Sequence, residues 1–401
     1  MHVRAAAVYT PAMSNIRDLF LLDPDIVFLN HGSFGACPRP VFETYQRWQR
    51  ELERQPVAFL GRRAEDLLRE SRSALAAYLN AAADDLVYFP NPTTAVNMGL
   101  RALRLEPGDE VLTTDHEYGA LERAWNVRSR EAGARLVRRR LDLASPEALV
   151  EDFWAAVTPA TRAIFISHIT SATALILPVA EICRRARAAG IVTIVDGAHA
   201  PGQIPLDLAA LDADVYVGAG HKWLCGPKGV AFLHAQPAAQ AWLRPLIVSW
   251  GWGDDVYAPE PGMGETEFIR WHQWQGTRDL AAYLTLPAAL AFQSEHDWRR
   301  RSAAAHDLLM DALTAISALT GLPPFAAPFE RWHAQLGVAR LPGHVDVGRL
   351  KIQLYDIHRI EAPVYRWDDQ PLIRISCQAY NSEADIAALV AALRVEVGVP
   401  A

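Results

Sequence analysis

Ile191-Val192-Thr193-Ile194-Val195-Asp196-Gly197-Ala198-His199 is an apolar strand that ends in a carboxylate. Twenty-six residues past Asp196, Lys222 stands in Gly218-Ala219-Gly220-His221-Lys222-Trp223-Leu224-Cys225-Gly226-Pro227-Lys228-Gly229, directly after the strand-like Asp214-Val215-Tyr216-Val217. A lysine held at a strand end can form an imine with an aldehyde cofactor, and a buried carboxylate keeps a pyridine nitrogen protonated. Lys222 and Asp196 are therefore expected to anchor pyridoxal 5'-phosphate (PLP).

Outward from this pair, apolar runs at 86–89, 110–113, 134–138, 163–167, 191–195, 214–217 and 229–234 alternate with stretches of helix formers such as 180–189. That alternation predicts an α/β fold, with a mostly parallel central sheet flanked by helices. Ligands of such sheets sit beyond the carboxyl ends of the strands, where Asp196 and Lys222 both fall. After Thr277 the texture changes to long helical periodicity (280–292, 298–319), a Pro323-Pro324 break, short strands at 338–341 and 372–376, and a closing helix at 383–395. The expected division is a large cofactor-binding domain, 25–282, and a smaller α+β C-terminal domain, 283–401, joined by 1–24.

The chain has 401 residues, 51% of them hydrophobic, which is enough for a large core. A net charge of −7, with basic residues spread apart from Arg138-Arg139-Arg140 and Arg299-Arg300-Arg301, predicts no nucleic-acid partner and no anionic membrane surface. Cys37, Cys183, Cys225 and Cys377 include no C-x-x-C pair, so free thiols in a reducing cytoplasm are expected, and no metal site. No uncharged apolar segment reaches the roughly 20 residues of a bilayer span.

The remaining contacts of the cofactor each have a candidate. His199 is a candidate partner of the phenolic oxygen, as is Ser171 or Thr170. Asn91-Pro92-Thr93-Thr94-Ala95-Val96-Asn97 follows a strand and opens a helix, so Thr93 and Thr94 are candidate phosphate donors, with an ordinary N-cap as the alternative. His116, in Thr113-Thr114-Asp115-His116-Glu117-Tyr118, is the first candidate to stack on the ring, and Tyr118 the second. Arg374, flanked by Leu372-Ile373 and Ile375, is a charge inside an apolar strand and is expected to pair with a substrate carboxylate.

Asp196-Gly197-Ala198-His199, the His221–Gly229 run, Trp274-Gln275-Gly276-Thr277-Arg278-Asp279 and Arg374-Ile375-Ser376 together resemble the class V aminotransferase family of PLP fold type I. Phe28-Leu29-Asn30-His31-Gly32-Ser33-Phe34-Gly35, Gln55-Pro56-Val57-Ala58-Phe59-Leu60 and Asp115-His116-Glu117-Tyr118-Gly119-Ala120 are similar to its isopenicillin N epimerase-like branch. The resemblance runs from about residue 26 to 395 and implies a homodimer with shared active sites. It also implies His221 on the phosphate, Thr277 reaching the phosphate from the partner subunit, and Arg374 on the substrate carboxylate; Asn30, His31 and Tyr118 are further candidates to bind the substrate. The chain departs from the family pattern in two respects: Ala219 and Gly220 stand where Ser or Thr is frequent, and Ser171 where Asn is common.

Fold and cofactor leave Cα epimerisation, β-elimination with C–S cleavage, and transamination open. Persulfide-forming desulfuration is disfavoured, because no cysteine lies between Pro323 and Arg374. Epimerisation needs a second proton donor besides Lys222, for which Tyr118, Tyr257 and His31 are the candidates. The expected substrate is an amino acid or a molecule that contains one, acted on at Cα in an isopenicillin N epimerase-like reaction, with a C–S lyase as the alternative.

Overall fold

In the computed structural model, residues 16–326 and 332–398 are described. Residues 1–15, most of the segment expected to join the smaller domain, lie outside them. Among the described residues twelve strands form three sheets: β1 Val27–Phe28, β2 Leu86–Phe89, β3 Glu110–Thr114, β4 Arg135–Arg139, β5 Thr161–Ser167, β6 Val192–Gly197, β7 Val215–Ala219, β8 Ala231–Ala235, β9 Leu336–Arg340, β10 Ile360–Glu361, β11 Val364–Trp367 and β12 Gln370–Ser376. The large sheet has the order β2-β8-β7-β6-β5-β3-β4. Its members run parallel except β8, which is antiparallel to both neighbours. The expected mostly parallel α/β sheet is thus present.

The central strands read as unbroken apolar runs because both of their faces are buried. Along β5, Ala163 and Phe165 face a core shared with the helix Pro92–Ala102, whereas Ile164 and Ile166 face one shared with the helices Ala64–Leu79 and Val179–Ala189. The period-two alternation of a strand thus feeds two different cores.

Beyond residue 283 the helices Trp298–Thr320 and Glu383–Val397 pack on the antiparallel sheet β11-β12-β9 around a core of their own. β1 pairs in parallel with β10, Leu29 joins this second core, and Asn30 bridges to Ser376. Residues 27–30 are thus tied by their backbone to strands β10 and β12 of the C-terminal part of the chain. The stretch expected as one helix over 280–292 is two, Ala281–Leu284 and Leu286–Glu295, because Pro287 restarts the helix at its first turn.

The crossing from β1 back to the large sheet depends on Gly35. Its φ is +70°, and a Cβ there would collide with the carbonyl oxygen of His221. This close approach sets the turn His31–Phe34 against the lysine segment. No helix among the described residues is long and apolar enough to cross a membrane.

Candidate active site

Asp196 is the penultimate residue of β6, and Ser167, the last residue of β5, is its register partner. Lys222 lies three residues past β7, in a turn closed by Cys225 N–H donating to the Lys222 carbonyl at 2.9 Å, with Cys225 at φ 61°. These strand ends, the start of the helix Pro92–Ala102 and the turn at 31–34 enclose a cavity of about 230 Å³. Of the residues expected from the sequence, Thr93, Tyr118, Ser171, Asp196, His199, His221 and Lys222 line it. A larger cavity of about 770 Å³, bordered by Ile204, Leu290 and Trp298, holds none of them.

Burial lowers the Lys222 amine to about 8; nearby Arg374 adds to this and Asp196 opposes it. The Asp196 carboxyl is raised by burial, against the Ala198 N–H that donates to Oδ1 at 2.9 Å and the nearby Lys222. His199 faces Lys222 Nζ through Nε2 at 3.0 Å and is held well below the usual histidine range by burial. Arg374 is buried and unopposed by any carboxylate among the described residues. It donates to the Ser171 carbonyl (2.6 Å) and to Ser33 Oγ (2.9 Å), two residues that line the cavity, while its Nε has no partner. A buried guanidinium with an unused donor suits a ligand carboxylate.

Several expected placements change. His116 does not line the cavity: Nδ1 bonds Thr173 Oγ1 at 2.7 Å, the ring packs on Trp367 with centroids 4.6 Å apart, and burial lowers it to about 4. Of the two stacking candidates, Tyr118 is the one at the cavity, whose lining also includes Phe34. His31 is fully buried, its Nε2 facing the Lys222 carbonyl at 3.0 Å and its Nδ1 facing Tyr380 Oη at 2.9 Å. It braces the lysine backbone and offers no free nitrogen to a substrate. Asn30 is bonded to Glu361 and to Ser33 Oγ, so it acts on the cavity only through Ser33.

Ser171 is engaged by Arg374, while Thr170 Oγ1 bonds Thr173 and accepts from Leu175 N–H inside the loop. Thr94 is taken up by Asn91, whose Oδ1 accepts both its N–H (2.8 Å) and its hydroxyl (3.0 Å); the helix cap is therefore Asn91. His221 Nδ1 bonds the Val230 carbonyl at 3.0 Å. Thr277 borders a separate cavity with Gln49 and Asp279, and Tyr257 sits on an exposed loop.

Sequence reasoning missed Glu117. This buried carboxyl accepts from Thr114 Oγ1 (2.6 Å), from Ser167 N–H (3.2 Å) and from Ser167 Oγ (2.5 Å). Burial raises it to about 7, and the nearby Asp196 charge pushes the same way. Its available signal was position, directly before the cavity-lining Tyr118 in the loop that leaves β3.

The family model "Aminotransferase class-V" matches residues 36–389. The chain is 38% identical to an isopenicillin N epimerase of Amycolatopsis lactamdurans over 391 residues, 96% of this chain and 98% of that one. It is 29% identical to a putative L-cysteine desulfhydrase of Oryza sativa subsp. japonica over 402 residues, 89% of this chain and 80% of that one. The chain belongs to the class V aminotransferase family. Its fold matches a C-DES variant that carries glycine covalently linked to its PLP cofactor, with a TM-score of 0.78 at 23% identity over 96% of this chain and 99% of that one. It is a PLP-dependent enzyme. The residues present fit that group: a buried amine outside any ion pair among the described residues and a buried carboxylate share one cavity, with a helix N-terminus at its wall.

Proposed function

We propose that this enzyme removes and returns the proton at the Cα of an amino acid or an amino-acid-containing substrate, as an isopenicillin N epimerase-like isomerase. The carrying observation is the buried Lys222 amine, lowered to about 8 and free of any ion pair among the described residues, in the same cavity as Asp196. When bound, PLP supplies an aldehyde for the substrate amine and a protonated ring that draws electrons from Cα. Lys222 Nζ, near neutral, is suited to hold the aldehyde and afterwards to take the Cα proton. Asp196 holds the proton on the ring nitrogen, Tyr118 covers the ring, and Thr93 with His221 and the helix N-terminus takes the phosphate. Arg374 receives the substrate carboxylate, with Ser33 and Ser171 fixing its guanidinium.

Inversion needs a second donor, and of Tyr118, Tyr257 and His31 only Tyr118 lines the cavity. The relation to the A. lactamdurans epimerase at 38% identity supports this reading. The relation to the rice desulfhydrase favours a second one, a C–S lyase, which needs Lys222 as base and a leaving group but no second donor. A homodimer in the cytoplasm is part of the proposal, with Thr277 serving the partner's phosphate. Exposed large apolar side chains, among them Phe34, Trp250 and Val256, are available to such a contact.

The deciding measurement is proton NMR of the loaded enzyme in heavy water, with L-amino acids, cysteine conjugates and their sulfoxides and no added oxo acid. Deuterium at Cα with inversion supports the isomerase; pyruvate and ammonia instead establish the lyase. Absence of both, with the cofactor bound, refutes the two readings together.

A further inference from the structure

Trp223 Nε1 lies 3.3 Å from His199 Nδ1, and His199 Nε2 lies 3.0 Å from Lys222 Nζ. An indole N–H only donates. His199 Nδ1 must therefore present its lone pair, and a neutral imidazole then carries its proton on Nε2. That proton points at Lys222 Nζ, where only an uncharged amine has a lone pair to accept it. An ammonium at Lys222 would have to donate into Nε2, which moves the imidazole proton to Nδ1 and sets it against the indole N–H. Two buried donors facing each other forfeit a hydrogen bond each.

We propose that Trp223 is a positioning residue that favours the uncharged, nucleophilic form of the Lys222 amine by fixing which nitrogen of His199 carries the proton. The indole is well held for this. It is fully buried, the His31 ring packs on it with centroids 5.0 Å apart, and the Trp223 backbone carbonyl accepts from Gln293 Nε2 at 2.8 Å. The His199 backbone is fixed in turn by Gln203 Nε2, which donates to its carbonyl at 2.7 Å. The charged and titratable groups acting on His199 besides Lys222 are Arg374, His221 and His31, and each disfavours a proton on its ring. Asp196 is the one group that favours charge on Lys222, and the tautomer lock counters it. An uncharged amine is needed twice: to attack the aldehyde, and to take the Cα proton.

Trp223's role presupposes that Lys222 carries the cofactor, but the lysine's proton affinity can be read without it. The chain contains only three lysines, Lys222, Lys228 and Lys351. Carbon-13 labelling at lysine Cε of the full-length, cofactor-free chain therefore gives three resonances, and the one lost in Lys222→Met is Lys222. In Trp223→Phe the Lys222 resonance is expected to titrate about one pH unit higher, and uptake of pyridoxal phosphate at pH 7 to slow roughly tenfold. His199→Leu gives the same rise should Trp223→Phe fail to fold. His199→Gln, whose amide oxygen accepts from the indole while its NH2 faces the amine, keeps the wild-type value. An unchanged Lys222 titration in folded Trp223→Phe or His199→Leu overturns the proposal and leaves the cofactor assignment standing. Loss of visible absorbance only in Lys222→Met supports that assignment separately.

Discussion

Replacing Lys222 by methionine should make the cofactor-free protein more stable at neutral pH, even though it abolishes activity. Burial drops the amine from 10.5 to about 8, so the folded state resists a proton that the unfolded chain accepts. Between these two values the unfolded chain binds more protons, and stability rises with pH across that window. Below about 8 the penalty is constant. It amounts to about 3 kcal/mol, from 2.5 pKa units at about 1.4 kcal/mol each. Methionine fills similar volume without a charge but leaves the His199 Nε2 proton unpaired, which returns about 1 kcal/mol. Lys222→Met is therefore expected to gain about 2 kcal/mol at pH 7 and to lose that advantage by pH 10.5. Urea unfolding of both chains at pH 7, 9 and 10.5, with equal denaturant slopes, measures the difference. A stability difference that stays flat across this range would falsify the reasoning, because it would mean that Lys222 titrates as in the unfolded chain.

Glu117→Gln carries the opposite sign. The folded Glu117 carboxyl, raised to about 7, keeps a proton that the unfolded chain releases above 4.5, so wild-type stability falls as pH rises from 4.5 to 7. The glutamine variant should gain about 3 kcal/mol on the wild type over that interval, read from denaturation at pH 5 and pH 8; parallel curves would show that Glu117 is ionised throughout. Arg374→Ala is expected to retain the cofactor's visible absorbance and to lose about 2–5 kcal/mol of amino acid affinity, measured by spectral titration. Unchanged affinity would remove Arg374 from the substrate site. For Tyr118→Phe, exchange of the Cα proton in heavy water should continue with retention while inversion slows by about 10² or more. Undiminished inversion would assign the second proton to another group.

The sheet was legible because its strands are covered on both sides. A strand such as β5, with Ala163 and Phe165 in one core and Ile164 and Ile166 in the other, has no polar face to interrupt the apolar run. The short strands β1, β10 and β11 escaped notice for the converse reason: two to four residues with mixed burial carry too little periodicity. β1 also pairs with a segment more than 300 residues away, and no local pattern encodes that partner. The break at Thr285 shows a local rule that was available, since a proline inside a helical pattern marks a restart.

At the site, what could be read was chemistry fixed by position on a strand, and what could not was direction. Asp196, Lys222 and Arg374 each sit where an apolar strand surrounds or precedes a charged residue, and the surroundings make the charge informative. His116 and Tyr118 are two residues apart on one loop after β3, and sequence spacing alone does not say which ring turns toward the cavity. The outcome is decided by partners that lie far along the chain: Thr173 and Trp367 draw His116 away, and Tyr118 is left at the opening. The orientation of His31 is likewise set from afar, because its partners Tyr380 and the Lys222 carbonyl come from 349 and 191 residues downstream. The resulting division of labour follows from proton affinity. Buried histidines such as His31, His116 and His199 are driven neutral, so they serve as oriented donors and acceptors, and the amine of Lys222 and the carboxyl of Glu117 are the groups left poised to exchange a proton near neutral pH.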